Sequence, residues 1–428
     1  MDPNTYFIQF PKGKKKRPTL KAMDFFMDEY NHIDENMNII HIAGTNGKGS
    51  TVKIISNILI KAGYSVGTFV SPHLTKYNER ISINNQSITD KEMSDIIDEI
   101  QPKIDQYNEF ADINELNHMT WFEALTIIAF LYFYRKNVDF VVIETGLGGL
   151  FDSTNFIKKS IASVITSIGY DHMKLLGSTL EEIAFQKAGI IKRDSETLMF
   201  DQSPSVNKVF IDKCNEENNK LHIFNEDLIK DYSFDEEYQY FSYKSYKNLK
   251  TNLKGKIQIN NSILAIETME IVKKKGFKVS KKSIREGLST VVNHGRMETL
   301  YSNPTIIYDG AHNIPAFENL LKMVNMYYPN CNKTYIISIL TRKKYDTMLE
   351  ILSADQNAKF ILTSGNNEDE FTPKETLYDC AKQFIPEEKI EKMDLEDALK
   401  KVIKEDQIAF VIGSFHTYGR VREILEKI

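Results

Sequence analysis

Two short runs constrain this chain more than anything else in it: Phe140–Glu144 (FVVIE) and Ala162–Ile168 are apolar along most of their length. A strand with one wet face alternates polar and apolar residues. These do not, so both faces must be covered, as in a parallel sheet inside an α/β layer. Asn38–Ala43 (NIIHIA) is a third such run, and a helix pattern follows it: Val52, Ile55, Leu59 and Ala62 recur at helical spacing, with Gly63 placed as the stop. Ser65–Val70 and Arg80–Ile83 read as further strands, and Thr120–Tyr134 as a helix apolar enough to be buried between layers. Ser178 and Glu181 have the spacing of a capping box opening a helix through Ala188. The alternation predicts an α/β fold, a mainly parallel sheet covered by helices.

Asp231–Thr251 breaks that rhythm, since aromatics alternate there with polar residues, and predicts a small antiparallel excursion. Helical patterns resume at Asn260–Lys275 and Lys281–Leu288. A second strand and helix series begins near residue 300. Its strands are Thr305–Tyr308, Thr334–Ile339, Lys359–Leu362 and Ile408–Ile412, and its helices include Ala316–Met326 and Leu395–Lys404. This predicts a smaller C-terminal, Rossmann-like α/β domain. The turn-like Asn293–Arg296 sets the expected boundary, giving domains 1–295 and 296–428, in line with 428 residues being too many for one typical core.

Composition excludes several function classes. A formal net charge of −5 gives no electrostatic reason to seek nucleic acid. Cys214, Cys331 and Cys380 are sparse and unevenly spaced, which fits packing thiols in a reducing cytoplasm rather than disulfides or metal ligands. No run approaches the ~18 apolar residues of a membrane span, and the N-terminus lacks a signal-peptide plan. A cytoplasmic protein without membrane partners is expected, and a monomer is the default for two domains with cores of their own. Lys12–Arg17 (within KGKKKR) reads as a solvated loop, with an anionic ligand as the alternative.

The chemistry begins at His41–Thr51 (HIAGTNGKGST), between a strand and a helix. Its glycines allow backbone N–H groups to turn onto a phosphate chain at a helix N-terminus. Lys48 can reach terminal phosphates, and Ser50 or Thr51 can meet magnesium. The spacing is tighter than G-x-x-x-x-G-K-[ST], and such a loop alone does not separate kinases, GTPases, motor-like ATPases and ligases. Glu144 ends a buried strand before Gly146-Leu147-Gly148-Gly149, at the sheet edge where such folds bind ligands, and is a hard oxygen donor suited to magnesium. Asp171-His172 ends the next strand. Taken singly, His172 reads as a satisfied structural residue and Lys187 as a snorkelling surface lysine.

Taken in order, HIAGTNGKGST (41–51), SPHL…ERISIN (71–84), ETGLGGLFDSTN (144–155), GYDHMKLLGSTLEEIAFQKAGIIK (169–192), NHGRME (293–298), DGAHN (309–313) and IGS (412–414) resemble the folylpolyglutamate synthase / dihydrofolate synthase family of Mur-type ligases. The resemblance implies an ATP- and magnesium-dependent ligase that phosphorylates a folate or dihydropteroate carboxylate and passes the acyl group to L-glutamate. It implies ATP contacts from Thr45, Asn46, Gly47, Lys48, Gly49, Ser50, Thr51, Asn261, Arg296 and Asp309. Metal positions would be Ser50, Ser71 and Glu144 around one magnesium, with His172 near a second. Lys48, Lys187, Asp309 and His312 would be catalytic, with Lys187 matching a lysine that is carbamylated in such ligases. Ser71, Pro72, His73, Arg80, Asp152 and Ser414 would border the substrates.

The chain departs from the family pattern at four places. Leu150-Phe151 stands where an arginine is usual, and Ile257-Gln258 where a histidine-glutamine pair is. Thr341-Arg342-Lys343-Lys344 replaces an acidic segment, and Phe415-His416-Thr417 follows IGS instead of an aliphatic run. These changes fall mainly at the acceptor loop and the second domain. They motivate two alternatives: a ligase for a different acceptor, and a nucleotide-binding relative without catalysis.

Overall fold

The computed structural model describes residues 2–10, 18–365 and 370–428. The Lys12–Arg17 loop lies outside them. Two compact units are present. The first comprises Met1–Ser233, Tyr240–Asn252 and Gln258–Val291; the second comprises Phe234–Gln239, Leu253–Ile257 and Val292–Ile428.

In the first unit, β1 (Ile39–Ala43), β2 (Val66–Phe69), β3 (Ile81–Ile83), β4 (Gln86–Ser87), β5 (Phe140–Glu144), β6 (Ala162–Ile165), β7 (Glu196–Phe200) and β8 (Lys220–Phe224) form one sheet in the order β4-β3-β2-β5-β1-β6-β7-β8. β2 with β3 and β3 with β4 pair antiparallel at one edge, and the other pairings are parallel. β1 lies between β5 and β6, so the C-terminal ends of three buried strands open side by side. That edge is where open α/β sheets receive ligands. The helix Trp121–Arg135 is buried at every position from Glu123 to Phe133, which explains a pattern with no polar face.

Capping residues place the helices. Thr120 and Glu123 form a reciprocal box before Trp121–Arg135, and Thr89 and Glu92 do the same before Asp90–Ile113. The box before Leu180–Ala188 is Thr179 with Glu182, one residue later than the expected Ser178 and Glu181. Glu182 accepts from the N–H groups of both Ser178 and Thr179, so Ser178 joins the turn without being the cap. One expected strand is clearly shorter in the structure: β6 stops at Ile165, before Ile168, because the chain then turns to bond the loop after β1. β7, β8 and the helices Asp90–Ile113 and Pro204–Glu216 have no counterpart in the sequence reading.

The antiparallel excursion is a three-stranded sheet of β9 (Ile229–Phe234), β10 (Gln239–Tyr243) and β11 (Tyr246–Thr251). The second unit carries β12 (Glu298–Ser302), β13 (Thr305–Asp309), β14 (Lys333–Ile337), β15 (Ala358–Leu362), β16 (Ile390–Lys392) and β17 (Ile408–Ile412) in the order β12-β13-β17-β14-β15-β16. Only β12 is antiparallel to its neighbour among the described strands of this sheet. Its core packs Phe317, Leu320, Leu349, Leu352 and Leu377 from the helices against Tyr335, Phe360 and Phe410 from the strands. A mainly parallel sheet, a small antiparallel sheet and a second α/β unit are thus all present.

Candidate functional site

The loop after β1 is pinned before it reaches its helix. Thr45 N–H donates to the Ser167 carbonyl at 2.7 Å, and Thr45 Oγ1 both donates to and accepts from the Gly169 backbone at 3.0 Å. A Cβ on Gly44 would lie 1.8 Å from Thr166 Oγ1, so only glycine permits this approach of the two strand ends. Gly47, at φ +92°, caps the helix Lys48–Lys61. The first N–H groups of that helix have no intrahelical partner and carry the positive end of its dipole.

Groups from three strand ends then meet at Glu144. This carboxylate is 3% exposed at the end of β5. Its Oε1 is 3.7 Å from Lys48 Nζ, and its Oε2 accepts from Ser71 N–H at 3.2 Å. Gly49 lies under it, with a Cβ there only 3.3 Å from Oε2. Lys48 Nζ also donates to the Thr45 carbonyl at 3.3 Å. Thr51 Oγ1 turns back to the Gly47 carbonyl at 2.9 Å, whereas the buried Ser50 Oγ faces Gln258 Nε2 at 3.5 Å. Gln258 Oε1 accepts from Asn261 Nδ2 at 2.9 Å, and the Asn261 amide lies against Gly47. Among the described residues no group of three His, Cys, Asp or Glu could hold a metal by itself. Glu144 and the Ser50 hydroxyl are nevertheless the hard oxygen donors that magnesium takes when phosphate oxygens and water complete its shell, so the residues fit that ion.

Lys187 is brought to the floor of the same loop, where Nζ donates to the Gly44 carbonyl at 2.7 Å. Burial, helped by the neighbouring Lys48 charge, pushes its pKa down to about 7. It is therefore a core lysine and not the snorkelling surface residue that its helix pattern suggests. His172 is half-exposed in a left-handed conformation, its Nε2 3.8 Å from Asp171 Oδ1. Asp152 is buried, and its oxygens are engaged by its own loop: Oδ1 accepts from Thr154 N–H and Oγ1, and Oδ2 from Leu147 N–H. Burial raises its pKa. These bonds tie Asp152 to the glycine loop.

The residues of the Ser71–Leu74 segment do meet. Arg80 Nε donates to His73 Nδ1 at 2.8 Å, and its guanidinium lies 5.0 Å from the Trp121 ring and 5.8 Å from that of Tyr77. Burial lowers the Arg80 pKa to about 10, so the group stays cationic at neutral pH. Pro72 is exposed beside them. Lys53 escaped the sequence reading. One turn beyond Gly49 on the same helix, it is half-buried, and burial lowers its pKa while the charges of Glu144 and Glu79 oppose the shift. The signal was available in its i+4 spacing from Gly49.

In the second unit, Arg296 and His312 lie against one ring, that of Phe415, with Ser414 preceding it in the chain and Asp309 within the field of Arg296. Asp309 is buried, with Oδ2 accepting from Met297 N–H and Oδ1 from Ala311 N–H, each at 2.9 Å. Burial raises its pKa against the opposing charge of Arg296. His312 Nδ1 donates to the Gly310 carbonyl at 2.8 Å. Ser414 Oγ accepts from His416 N–H, and its carbonyl accepts from the Tyr308 hydroxyl.

Two family profiles match the chain: the Mur ligase middle domain over residues 42–269, and the Mur ligase glutamate ligase domain over residues 295–415. A dihydrofolate synthase/folylpolyglutamate synthase of Bacillus subtilis is 37% identical over 354 residues, covering 80% of each chain. A folylpolyglutamate synthase of Lacticaseibacillus casei is 30% identical, covering 90% of this chain and 89% of its own. The crystal structure of Mycobacterium tuberculosis folylpolyglutamate synthase complexed with ADP and AMPPCP superposes with a TM-score of 0.87 at 26% identity, covering 95% of both chains. The Thermotoga maritima folylpolyglutamate synthase gives 0.84 at 29% identity, covering 99% of this chain and 95% of that one. With two Mur ligase profiles in order and such relatives along most of its length, the chain belongs to the folylpolyglutamate synthase / dihydrofolate synthase family of the Mur ligases.

Proposed function

We propose that this chain is an ATP-dependent ligase that joins L-glutamate to the carboxylate of a folate, and that dihydropteroate is a second acceptor. The observation that carries this reading is the convergence on Glu144 of the phosphate-loop lysine and the Ser71 loop, within 3.7 and 3.2 Å of its two oxygens. It puts the groups that would handle a nucleotide and an acceptor on one carboxylate. Residues 1–295 are assigned to that chemistry and residues 296–428 to the glutamate-ligating half. The dual name of the Bacillus subtilis relative supports two acceptors.

The acceptor carboxylate attacks the γ-phosphorus of ATP, giving an acyl phosphate and ADP. The amine of glutamate then attacks the acyl carbon and loses a proton, and phosphate leaves. Two anions approach each other in the first step, so positive charge placed in advance contributes most. Lys48 supplies it at the transferring phosphoryl group, and Thr45 to Thr51 cradle the phosphates. Asn261, and on the second unit Arg296 and Asp309, belong to the nucleotide. His312 is assigned to the transfer step, and Ser71, Pro72, His73, Arg80, Asp152 and Ser414 to the substrates. Magnesium, when bound, neutralises phosphate charge; Glu144, Ser50 and Ser71 would hold one ion, with His172 at a second.

Lys187 is assigned to carbamylation. Its low pKa supports this, because the neutral amine is the form that adds carbon dioxide. Addition to the neutral amine releases one proton, keeps one N–H for the Gly44 carbonyl and leaves an anion beside Lys48. A monomer in the cytoplasm completes the reading. Among the described residues no helix is long and apolar enough to cross a membrane.

The test offers ATP, magnesium and radiolabelled glutamate with either tetrahydrofolate or dihydropteroate. Labelled product is expected from both, and Lys48→Ala should lower turnover by at least ~10³-fold with the fold retained. Absence of product from either acceptor, with ATP bound, would remove the folate reading. Near-normal turnover by Lys48→Ala would remove the phosphate-loop assignment.

A further inference from the structure

We propose that Phe415 is a positioning residue for nucleotide binding: its ring fixes the direction in which Arg296 presents its guanidinium. The inference rests on the assignment of Arg296 to the nucleotide made above. The Arg296 Cζ stands 4.5 Å over the centre of the Phe415 ring. Among the described residues the guanidinium has no hydrogen-bond or ion-pair partner.

That arrangement has a chemical consequence. A guanidinium has a flat face and five N–H donors around its edge. A salt bridge to a carboxylate would use the edge. Stacking uses the face and leaves the donors directed outward, in the fork that matches a phosphate. Asp309 feels the Arg296 charge but forms no ion pair with it, and its two oxygens accept from Met297 and Ala311. The backbone on both sides of Arg296 is fixed as well. Gly295 N–H donates to Glu298 Oε2, and the Gly295 carbonyl accepts from Gly310 N–H at 2.8 Å. What remains loose is the four-bond side chain, whose ordering would otherwise cost affinity. The ring limits that freedom.

The ring is itself held. Phe415 is 8% exposed and starts a short turn capped by Ser414 Oγ. It fills the space beside Gly310, where a Cβ would come within 2.1 Å of it. The His312 ring packs 5.7 Å away on the same aromatic platform. An aliphatic residue at position 415 would fill the space without offering a π face to the cation.

Two readouts test this on the full chain, with thermal unfolding as the control for folding. The first is the ¹⁵N–¹H side-chain resonance of Arg296 Nε, shifted by the ring current of Phe415. It should return to the position of an unstacked arginine in Phe415→Leu and stay near the wild-type position in Phe415→Tyr. The second is kinetic. Phe415→Leu should raise KM for ATP about 3- to 30-fold, with kcat and KM for glutamate within about 2-fold, and Phe415→Tyr should restore it. In an Arg296→Ala background Phe415→Leu should add little further. An unchanged Arg296 resonance in Phe415→Leu overturns the inference, as does the same fold-change in KM with and without Arg296. If the resonance moves while neither Phe415→Leu nor Arg296→Ala alters KM for ATP, the platform stands and the nucleotide role of Arg296 fails.

Discussion

At the scale of single residues, Lys187 shows most clearly how surroundings decide chemistry. Its sequence neighbours make a helix with an apolar face, yet its amine ends in the core against the Gly44 carbonyl beside a second lysine. A base whose folded pKa is lowered to about 7 from an ordinary 10.5 carries a proton in both states below pH 7, where the cost of burying the cation is fully present. As pH rises above 7 the folded state releases its proton first, and that cost fades up to about pH 10.5. In bicarbonate-free buffer, stability of the wild type should therefore rise relative to Lys187→Met by up to about 1.4 kcal/mol per pH unit above pH 7. Parallel curves from denaturant unfolding at pH 6 to 9 would contradict the burial account. With labelled bicarbonate, ¹³C NMR should show one carbamate that Lys187→Met lacks; no such signal would remove the carbamylation assignment.

At the scale of elements, the phosphate loop is held by its neighbour as much as by its own residues. Gly44 meets Thr166 at the end of β6, and Thr45 and Asn46 pair with the segment that follows. Gly44→Ala should destabilise the chain by at least about 2 kcal/mol, seen as a lower urea midpoint at unchanged slope. An unchanged midpoint would mean that the two strand ends are not pressed together. The short buried strands and apolar helices were legible because burial on both faces leaves no polar residue to disturb the pattern. β8 and the helix Asp90–Ile113 were not, since each has an exposed face and the helix carries Pro102 within it. The capping box shifted by one residue for a similar reason: Ser178, Thr179, Glu181 and Glu182 offer two registers, and only the packed turn selects one. Within the site, the residues on strand ends and the loop were legible as chemistry. No local pattern reveals that the Asp152 oxygens accept from Leu147 and Thr154. The aromatic platform under Arg80, made by Tyr77 and Trp121, depends on a helix that begins at Trp121, far along the chain, and so leaves no local trace.

At the scale of the whole molecule, two α/β units are assigned to one reaction with an acyl phosphate at its centre. In the first unit Lys48 and Ser71 meet at Glu144, and in the second Arg296 and His312 meet at Phe415. The family and the residues at Glu144 agree on ligation; the acceptor is the part that only chemistry can test. The most direct measurement uses tetrahydrofolate labelled with ¹⁸O in its terminal carboxylate, together with ATP, magnesium and glutamate. If that carboxylate takes the phosphoryl group and glutamate then displaces it, each turnover must move one ¹⁸O into inorganic phosphate while ADP and the glutamylated folate form in equal amounts. Glutamylated product accompanied by phosphate without ¹⁸O, or by AMP and pyrophosphate, would contradict the central claim.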